Sequence, residues 1–101
     1  MASATQRGLA MSILVRFAPE AGTTEQYDDT IRRLEAMGGF PPEGLQYHVA
    51  FKVGDSLRVS EIWDSEEHLQ AFGSRLMPVL AEVGIIPGQP EILEIHNIIS
   101  R

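Results

Sequence analysis

The fold is decided by residues 45–63, LQYHVAFKVGDSLRVSEIW. In the first half of this stretch every second residue is apolar, and the set comprises Leu45, Tyr47, Val49, Phe51 and Val53. A period of two is typical of a β-strand that buries one face. Gly54 and Asp55 then predict a tight turn, and a second strand from Leu57 to Trp63 completes a β-hairpin.

One strand and one helix are predicted before this hairpin. Residues 11–17, MSILVRF, are bounded by Ala, Pro and Gly and have the short, β-branched composition of a strand. The helix that follows carries one apolar stripe, formed by Tyr27, Ile31, Leu34 and Met37. Thr23 or Thr24 can cap its start, and Gly38 ends it.

A second helix and a last strand are predicted after the hairpin. Asp64 followed by Glu67 resembles a capping box, and apolar residues at helical spacing follow. Pro78 lacks a backbone donor, so we expect this helix to kink or split near residues 73–74. Residues 91–99 are predicted to form the last strand.

The resulting order, β-α-β-β-α-β, predicts a ferredoxin-like α+β fold. Its four-stranded antiparallel sheet has the order 4-1-3-2 and carries both helices on one face. Apolar side chains on the other face would meet water, and pairing two sheets face to face across a twofold axis covers them. We therefore expect a homodimer.

Length and composition bound the function. The chain has 101 residues, no cysteine and a net charge of −6, so we expect one domain, over residues 11–101, without disulfides or cysteine-bound metal. The acidic balance argues against nucleic acid or membrane as a partner. Residues 1–10 are expected to be a leader outside the domain, and no apolar run is long enough to span a membrane. We expect a cytoplasmic protein.

The register of the hairpin decides what His48 faces, and two registers compete. A two-residue turn places His48 opposite Glu61, which joins a base to an orienting carboxylate. A three-residue loop instead pairs Tyr47 with Trp63 and keeps apolar residues on one face. We expect the second register because it separates the apolar and polar faces.

The catalytic candidates are groups suited to exchanging a proton, namely His48, Glu61 and His96. Glu61 shares a face with apolar residues and needs a partner there. His48 and His96 lie on opposite edge strands of the expected sheet, so only contact between two subunits could join them. For each histidine the structural alternative is a polar residue hydrogen-bonded at the sheet surface.

The candidates for ligand binding are aromatic or basic. In the expected register Tyr47 and Trp63 adjoin beneath the helices and could wall a pocket for a flat molecule, with Phe72 on the stripe of the second helix. Arg58 belongs to a basic strip on the opposite face, which could hold a carboxylate or phenolate. The other members of this strip are Arg16, Gln46, His48, Lys52 and Ser60. The structural alternatives are a core aromatic pair and contacts between subunits.

Residues 59–69, VSEIWDSEEHL, resemble the V-x-E-x-W-x-S-x-E-x-L signature of the dimeric α+β barrel proteins of the antibiotic biosynthesis monooxygenase group. The resemblance implies two ferredoxin-like sheets joined in one barrel and a small aromatic or polyketide-like ligand. Haem-degrading members have a His on the second helix and an Asn on the first strand. Here Phe72 and Gly73 stand in that region, and residues 12–17 contain no Asn. Both departures argue against haem. The sequence also contains no phosphate loop, nucleotide fingerprint or clustered metal-ligand spacing, so we expect no cofactor and no metal.

Two functions remain open. The first is a cofactor-free oxygenase, isomerase or cyclase in which Glu61 or a histidine removes a proton while Tyr47 and Trp63 stack on the substrate ring. The resulting carbanion would react with oxygen or rearrange. The alternative is a non-catalytic dimer that binds a small molecule or assists a pathway partner, because the sequence contains no complete catalytic constellation.

Overall fold

The computed structural model describes residues 12–101 and has four strands and two helices in the expected order. They are β1 (Ile13–Phe17), α1 (Thr24–Met37), β2 (Leu45–Val53), β3 (Ser56–Trp63), α2 (Glu66–Val83) and β4 (Glu91–Glu94). The sheet is antiparallel with the order β2-β3-β1-β4, which confirms the ferredoxin-like α+β fold. The predicted leader, residues 1–10, lies outside the described residues, as does Met11.

The core lies between one face of the sheet and the two helices. Val15 of β1, Trp63 of β3 and Leu34 of α1 are fully buried. Leu69 and Phe72 of α2 pack with them in the same cluster. The two central strands thus supply most of the buried sheet face, while β2 and β4 form its edges.

Polar caps begin both helices. The side chain of Thr23 accepts a hydrogen bond from the backbone N–H of Gln26 at 3.1 Å, and the Gln26 side chain accepts one from the backbone N–H of Thr23 at 2.8 Å. α2 begins after Ser65, whose hydroxyl accepts from the backbone N–H of His68 at 3.2 Å. The predicted cap at Asp64 is wrong by one residue, because that carboxylate instead accepts from a side-chain amide of β2.

α2 runs through Pro78 without interruption, so the predicted split near residues 73–74 is wrong. Pro78 and Ser74 are both exposed, and water can therefore satisfy the carbonyl that loses its helical partner. Phe72 and Val79 are buried on either side of this point and keep the helix against the sheet. Neither described helix has the combination of length and apolar character that a membrane span requires.

The hairpin has the register that puts His48 opposite Glu61. The expected three-residue loop and the expected Tyr47–Trp63 pair are wrong. The turn has two residues, and its first is Gly54 at φ 62°, a conformation that glycine adopts readily in short hairpin turns. The geometry of the two-residue turn therefore sets the register, even though this register mixes polar and apolar residues on each face of the hairpin.

This register turns the apolar side of β2 away from the helices. Its exposed members are Tyr47, Val49, Phe51 and Val53. A β-bulge after Leu45 returns that one residue to the helix side, opposite Trp63. The apolar face that we expected in the core is thus the open face of the sheet.

The last strand is shorter than predicted. β4 ends at Glu94, which pairs with Ile13 at the start of β1, instead of continuing to residue 99. Among the described residues β1 begins at Ile13, and its ladder with β4 ends at the pair Ile13–Glu94. His96 therefore lies beyond the end of the strand.

Candidate active site

His48 and Glu61 form a hydrogen-bonded pair on the helix-facing side of the sheet. They are cross-strand neighbours, and His48 Nδ1 lies 2.6 Å from Glu61 Oε2. Glu61 is only 7% exposed, and its other oxygen accepts a hydrogen bond from the indole N–H of Trp63 at 2.8 Å. Each oxygen of the carboxylate thus has a partner, which offsets the cost of its burial.

Tyr27 extends this hydrogen-bonded chain from α1. Its hydroxyl oxygen lies 2.6 Å from His48 Nε2, and its ring stacks on the imidazole with centroids 5.9 Å apart. Tyr27 and His48 are half-buried, whereas Glu61 and Trp63 are buried. The hydrogen-bonded chain Tyr27–His48–Glu61–Trp63 therefore runs from a half-buried residue of α1 to a fully buried residue of β3.

The pKa of the Tyr27 phenol is raised above its ordinary value of 10.0. Burial is the largest cause, and the negative charges of Glu61 and then Asp28 oppose ionisation further. Tyr27 therefore keeps its hydrogen through the neutral range and can donate it to His48.

A cavity of about 80 Å³ lies beside this chain, between the sheet and the helices. Tyr27, His48 and Glu61 contribute to one wall. The remaining wall is mainly hydrocarbon, with side chains that include Phe17, Leu34, Phe40, Leu57, Phe72 and Leu80. Several lining residues are half-exposed, so the cavity communicates with solvent. It offers an apolar space with one polar side.

The structure brings together only part of the predicted site. His48, Glu61 and Phe72 line the cavity, and Trp63 packs against Phe72 with ring centroids 5.7 Å apart. Tyr47 is 61% exposed and belongs to the open face of the sheet. The predicted stacking of a ligand between Tyr47 and Trp63 is therefore wrong, because the two side chains lie on opposite faces.

Arg58 and His96 lie away from the cavity. Arg58 is on the open face, opposite Phe51, and its guanidinium donates to a neighbouring backbone carbonyl at 3.1 Å. The predicted basic strip is wrong, because His48 and Lys52 face the helices. His96 is exposed beyond β4, at the sheet edge opposite β2, so the chain does not bring it to His48.

Tyr27 is the site residue that sequence reasoning missed. Its position in the apolar stripe of α1 indicates a core residue, and that interpretation needs no hydroxyl. The available signal is chemical, since a tyrosine that turns toward a core must find a partner for its oxygen. That partner can be named only once the hairpin register has placed His48 beneath α1.

The described residues contain no group of three His, Asp or Glu side chains that could hold a metal ion. Both ring nitrogens of His48 already have protein partners, Glu61 and Tyr27. The hydrogen-bonded chain Tyr27–His48–Glu61 can pass a proton from one residue to the next.

Several solved structures share this fold. SnoaB, a cofactor-independent oxygenase from Streptomyces nogalater, has a TM-score of 0.59 at 11% identity over 89% of this chain and 96% of its own. MupZ from Pseudomonas fluorescens has a TM-score of 0.62 at 9% identity, over 90% and 95% of the two chains. A proposed antibiotic biosynthesis monooxygenase from Chloroflexus aurantiacus J-10-fl has a TM-score of 0.54 at 18% identity, over 88% and 95%.

These similarities confirm, at the level of the fold, the resemblance to the antibiotic biosynthesis monooxygenase group. The chain has the α+β fold of that class, with a hydrogen-bonded His–Glu pair beside an apolar cavity. No family model and no curated protein matches the sequence.

Proposed function

We propose that this protein is a cytoplasmic homodimer that removes a proton from a small aromatic or polyketide-like molecule without a cofactor. The substrate anion then reacts with dioxygen or rearranges. The observation that carries the proposal is the His48–Glu61 pair, 2.6 Å apart, at the wall of an apolar cavity. SnoaB, which shares the fold, is a cofactor-independent oxygenase, and this supports the same class of reaction here.

The pair has the geometry of a general base and its orienting group. Glu61 accepts the hydrogen of Nδ1, which leaves Nε2 of the neutral imidazole as the basic atom. When Nε2 gains a proton, the adjacent carboxylate stabilises the imidazolium, as in other His–carboxylate pairs. A general base positioned in this way typically contributes about 10²–10⁴-fold to a rate.

The cavity limits the size and polarity of the substrate. Its walls are hydrocarbon apart from one side, so a ligand would bind mainly by burying apolar surface. An engineered cavity of roughly 150 Å³ holds benzene, whereas this one measures about 80 Å³. A ring would therefore extend partly toward the half-exposed side, which favours single-ring substrates over fused-ring ones.

The open face of the sheet supports the homodimer. Four apolar side chains of β2 are exposed there, namely Tyr47, Val49, Phe51 and Val53. Contiguous apolar patches of this kind usually mark an interface. A twofold axis would cover the patch with the same residues of a second copy.

A turnover assay tests the proposed reaction. The purified protein would be incubated with phenols, hydroquinones and enolisable ketones while oxygen uptake and products are followed. We expect turnover of at least one compound, and a loss of about 100-fold or more in kcat/KM for His48→Gln and for Glu61→Gln. His68→Gln is the matched control, because His68 bonds to Ser65 at the start of α2 and does not line the cavity.

Two results would contradict the proposal. Turnover that survives both His48→Gln and Glu61→Gln would assign the reaction to other groups. Binding of these compounds without turnover of any of them would favour the alternative, a non-catalytic small-molecule-binding or accessory protein.

A further inference from the structure

The hydrogen-bond donors along the polar wall can be assigned one by one. Glu61 accepts from Trp63 N–H on one oxygen and from His48 Nδ1–H on the other. A neutral imidazole that donates from Nδ1 has only an acceptor at Nε2. When the imidazole is neutral, the Tyr27 hydroxyl, whose oxygen lies 2.6 Å from Nε2, donates its hydrogen to that nitrogen.

The other hydroxyl of the lining is also committed, since Thr30 donates to the backbone carbonyl of Gln26 at 2.9 Å. The remaining lining side chains are hydrocarbon, so every side-chain donor of the described lining is used within the protein. With a neutral His48, the described side chains of the lining thus offer a ligand acceptors only. Among these, Tyr27 Oη belongs to a half-buried residue and retains a lone pair, whereas Glu61 is buried and its oxygens already hold donors.

We propose that Tyr27 Oη, rather than His48, is the atom that the substrate contacts, and that the ligand is a largely apolar molecule with one hydroxyl donor. The proton-transfer step of this inference rests on the proposed function. In that step the substrate O–H bond breaks and its proton goes to Tyr27 Oη, while the Tyr27 hydrogen passes to His48 Nε2. The result is a substrate anion, a neutral tyrosine and an imidazolium paired with Glu61.

This arrangement discriminates between ligands by their polar group. The oxygen of an ether or a ketone is itself an acceptor, so no hydrogen bond could form between it and Tyr27 Oη. The ligand oxygen would then be buried without a hydrogen-bond partner. A phenol or enol supplies that hydrogen. The stacking of Tyr27 on His48 holds the acceptor in position, and the raised pKa of the phenol keeps Tyr27 neutral.

The test is a comparison of p-cresol with 4-methylanisole, which differ in that the ether has no donor. Trp63 is the single tryptophan of the chain, so its indole N–H signal in an NMR titration in mildly alkaline buffer reports on the cavity. We expect p-cresol to bind the wild type about tenfold more tightly, the factor that one hydrogen bond provides. In Tyr27→Phe we expect the two compounds to bind within about twofold of each other.

Tyr47→Phe is the matched control, because Tyr47 is the only other tyrosine and lies on the opposite face of the sheet. It should keep the tenfold preference. Equal binding of the two compounds to the wild type, no binding of either, or a preference that persists in Tyr27→Phe would each overturn the inference. A preference for p-cresol without turnover of any phenol, hydroquinone or enolisable ketone would refute the proposed function alone, and turnover that survives Tyr27→Phe would refute the relay alone.

Discussion

At Tyr27 the stability of the fold is linked to pH. Because the pKa of this phenol is raised in the folded protein, the folded state keeps a proton that the unfolded chain loses above about pH 10. Its contribution to the free energy of unfolding is therefore complete below that pH and is lost as the pH rises through the folded pKa. We expect the stability advantage of the wild type over Tyr27→Phe, measured by urea unfolding, to shrink between neutral pH and pH values above about 10.

A direct titration checks the same residue. Tyr47→Phe leaves Tyr27 as the only tyrosine, so tyrosinate absorbance follows its ionisation alone. We expect a midpoint above 10.0 in the folded protein and a return to the ordinary value in urea. An advantage over Tyr27→Phe that stays constant with pH would show that burial and the charges of Glu61 and Asp28 do not act on this phenol.

Single residues differ in how far the sequence predicts their role. Glu61 alternates with Val59 and Trp63, so its place on a buried face and its need for a partner follow from periodicity alone. The partner does not follow, because a one-residue change in pairing decides whether His48 or another side chain faces it. The role of Tyr27 is harder to predict, because its contact with His48 depends both on the hairpin register and on how α1 packs on the sheet.

Among the elements, the hairpin shows where pattern reasoning ends. The alternation that predicts β2 is correct, but the inference that its apolar side packs under the helices is wrong. That inference assumes that one chain buries all its apolar faces. Two local features prevail over it, the turn at Gly54 and the bulge after Leu45. The helices were easier to predict because each one carries its stripe and its stop signal within itself.

Gly44 controls how the segment before β2 meets α2. It has φ 89°, and a Cβ at this position would collide with both the Cβ and the ring of His68. Its carbonyl also accepts from the backbone N–H of Asp64 at 2.7 Å, so the segment cannot shift freely. We expect Gly44→Ala to lower the free energy of unfolding by about 2–4 kcal/mol, from backbone strain and the collision together, as measured by urea unfolding.

The two contributions can be separated in a second background. With His68→Gly already in place no side-chain atom of residue 68 remains to collide, and Gly44→Ala should cost only about 1–2 kcal/mol for the positive φ. An equal loss in both backgrounds would mean that the side chain of His68 is not what excludes a Cβ at position 44.

For the whole molecule, the element order was sufficient to predict the topology, since β-α-β-β-α-β has few ways to form one antiparallel sheet with its helices on one face. The same topology leaves one sheet face uncovered. The observed register increases the apolar character of that face by adding the side chains of β2, from Tyr47 to Val53. The apolar alternation of β2, from which we predicted the wrong register, therefore supports a homodimer in which a second copy covers this face.

The homodimer leads to a prediction that uses charge. Phe51 is 40% exposed and lies near the middle of the apolar row on β2. In a twofold interface through this row, Phe51→Lys would place two lysines, one from each copy, close together. The interface would then suffer from like-charge repulsion and would lose buried apolar surface. We expect light scattering to give the wild type a mass of about twice 11.2 kDa and Phe51→Lys a mass near 11.2 kDa. Met77→Lys, at an apolar residue of α2 that is 52% exposed, should remain dimeric. A monomeric wild type would contradict the proposed homodimer. A dimeric Phe51→Lys would mean that the interface lies on another surface.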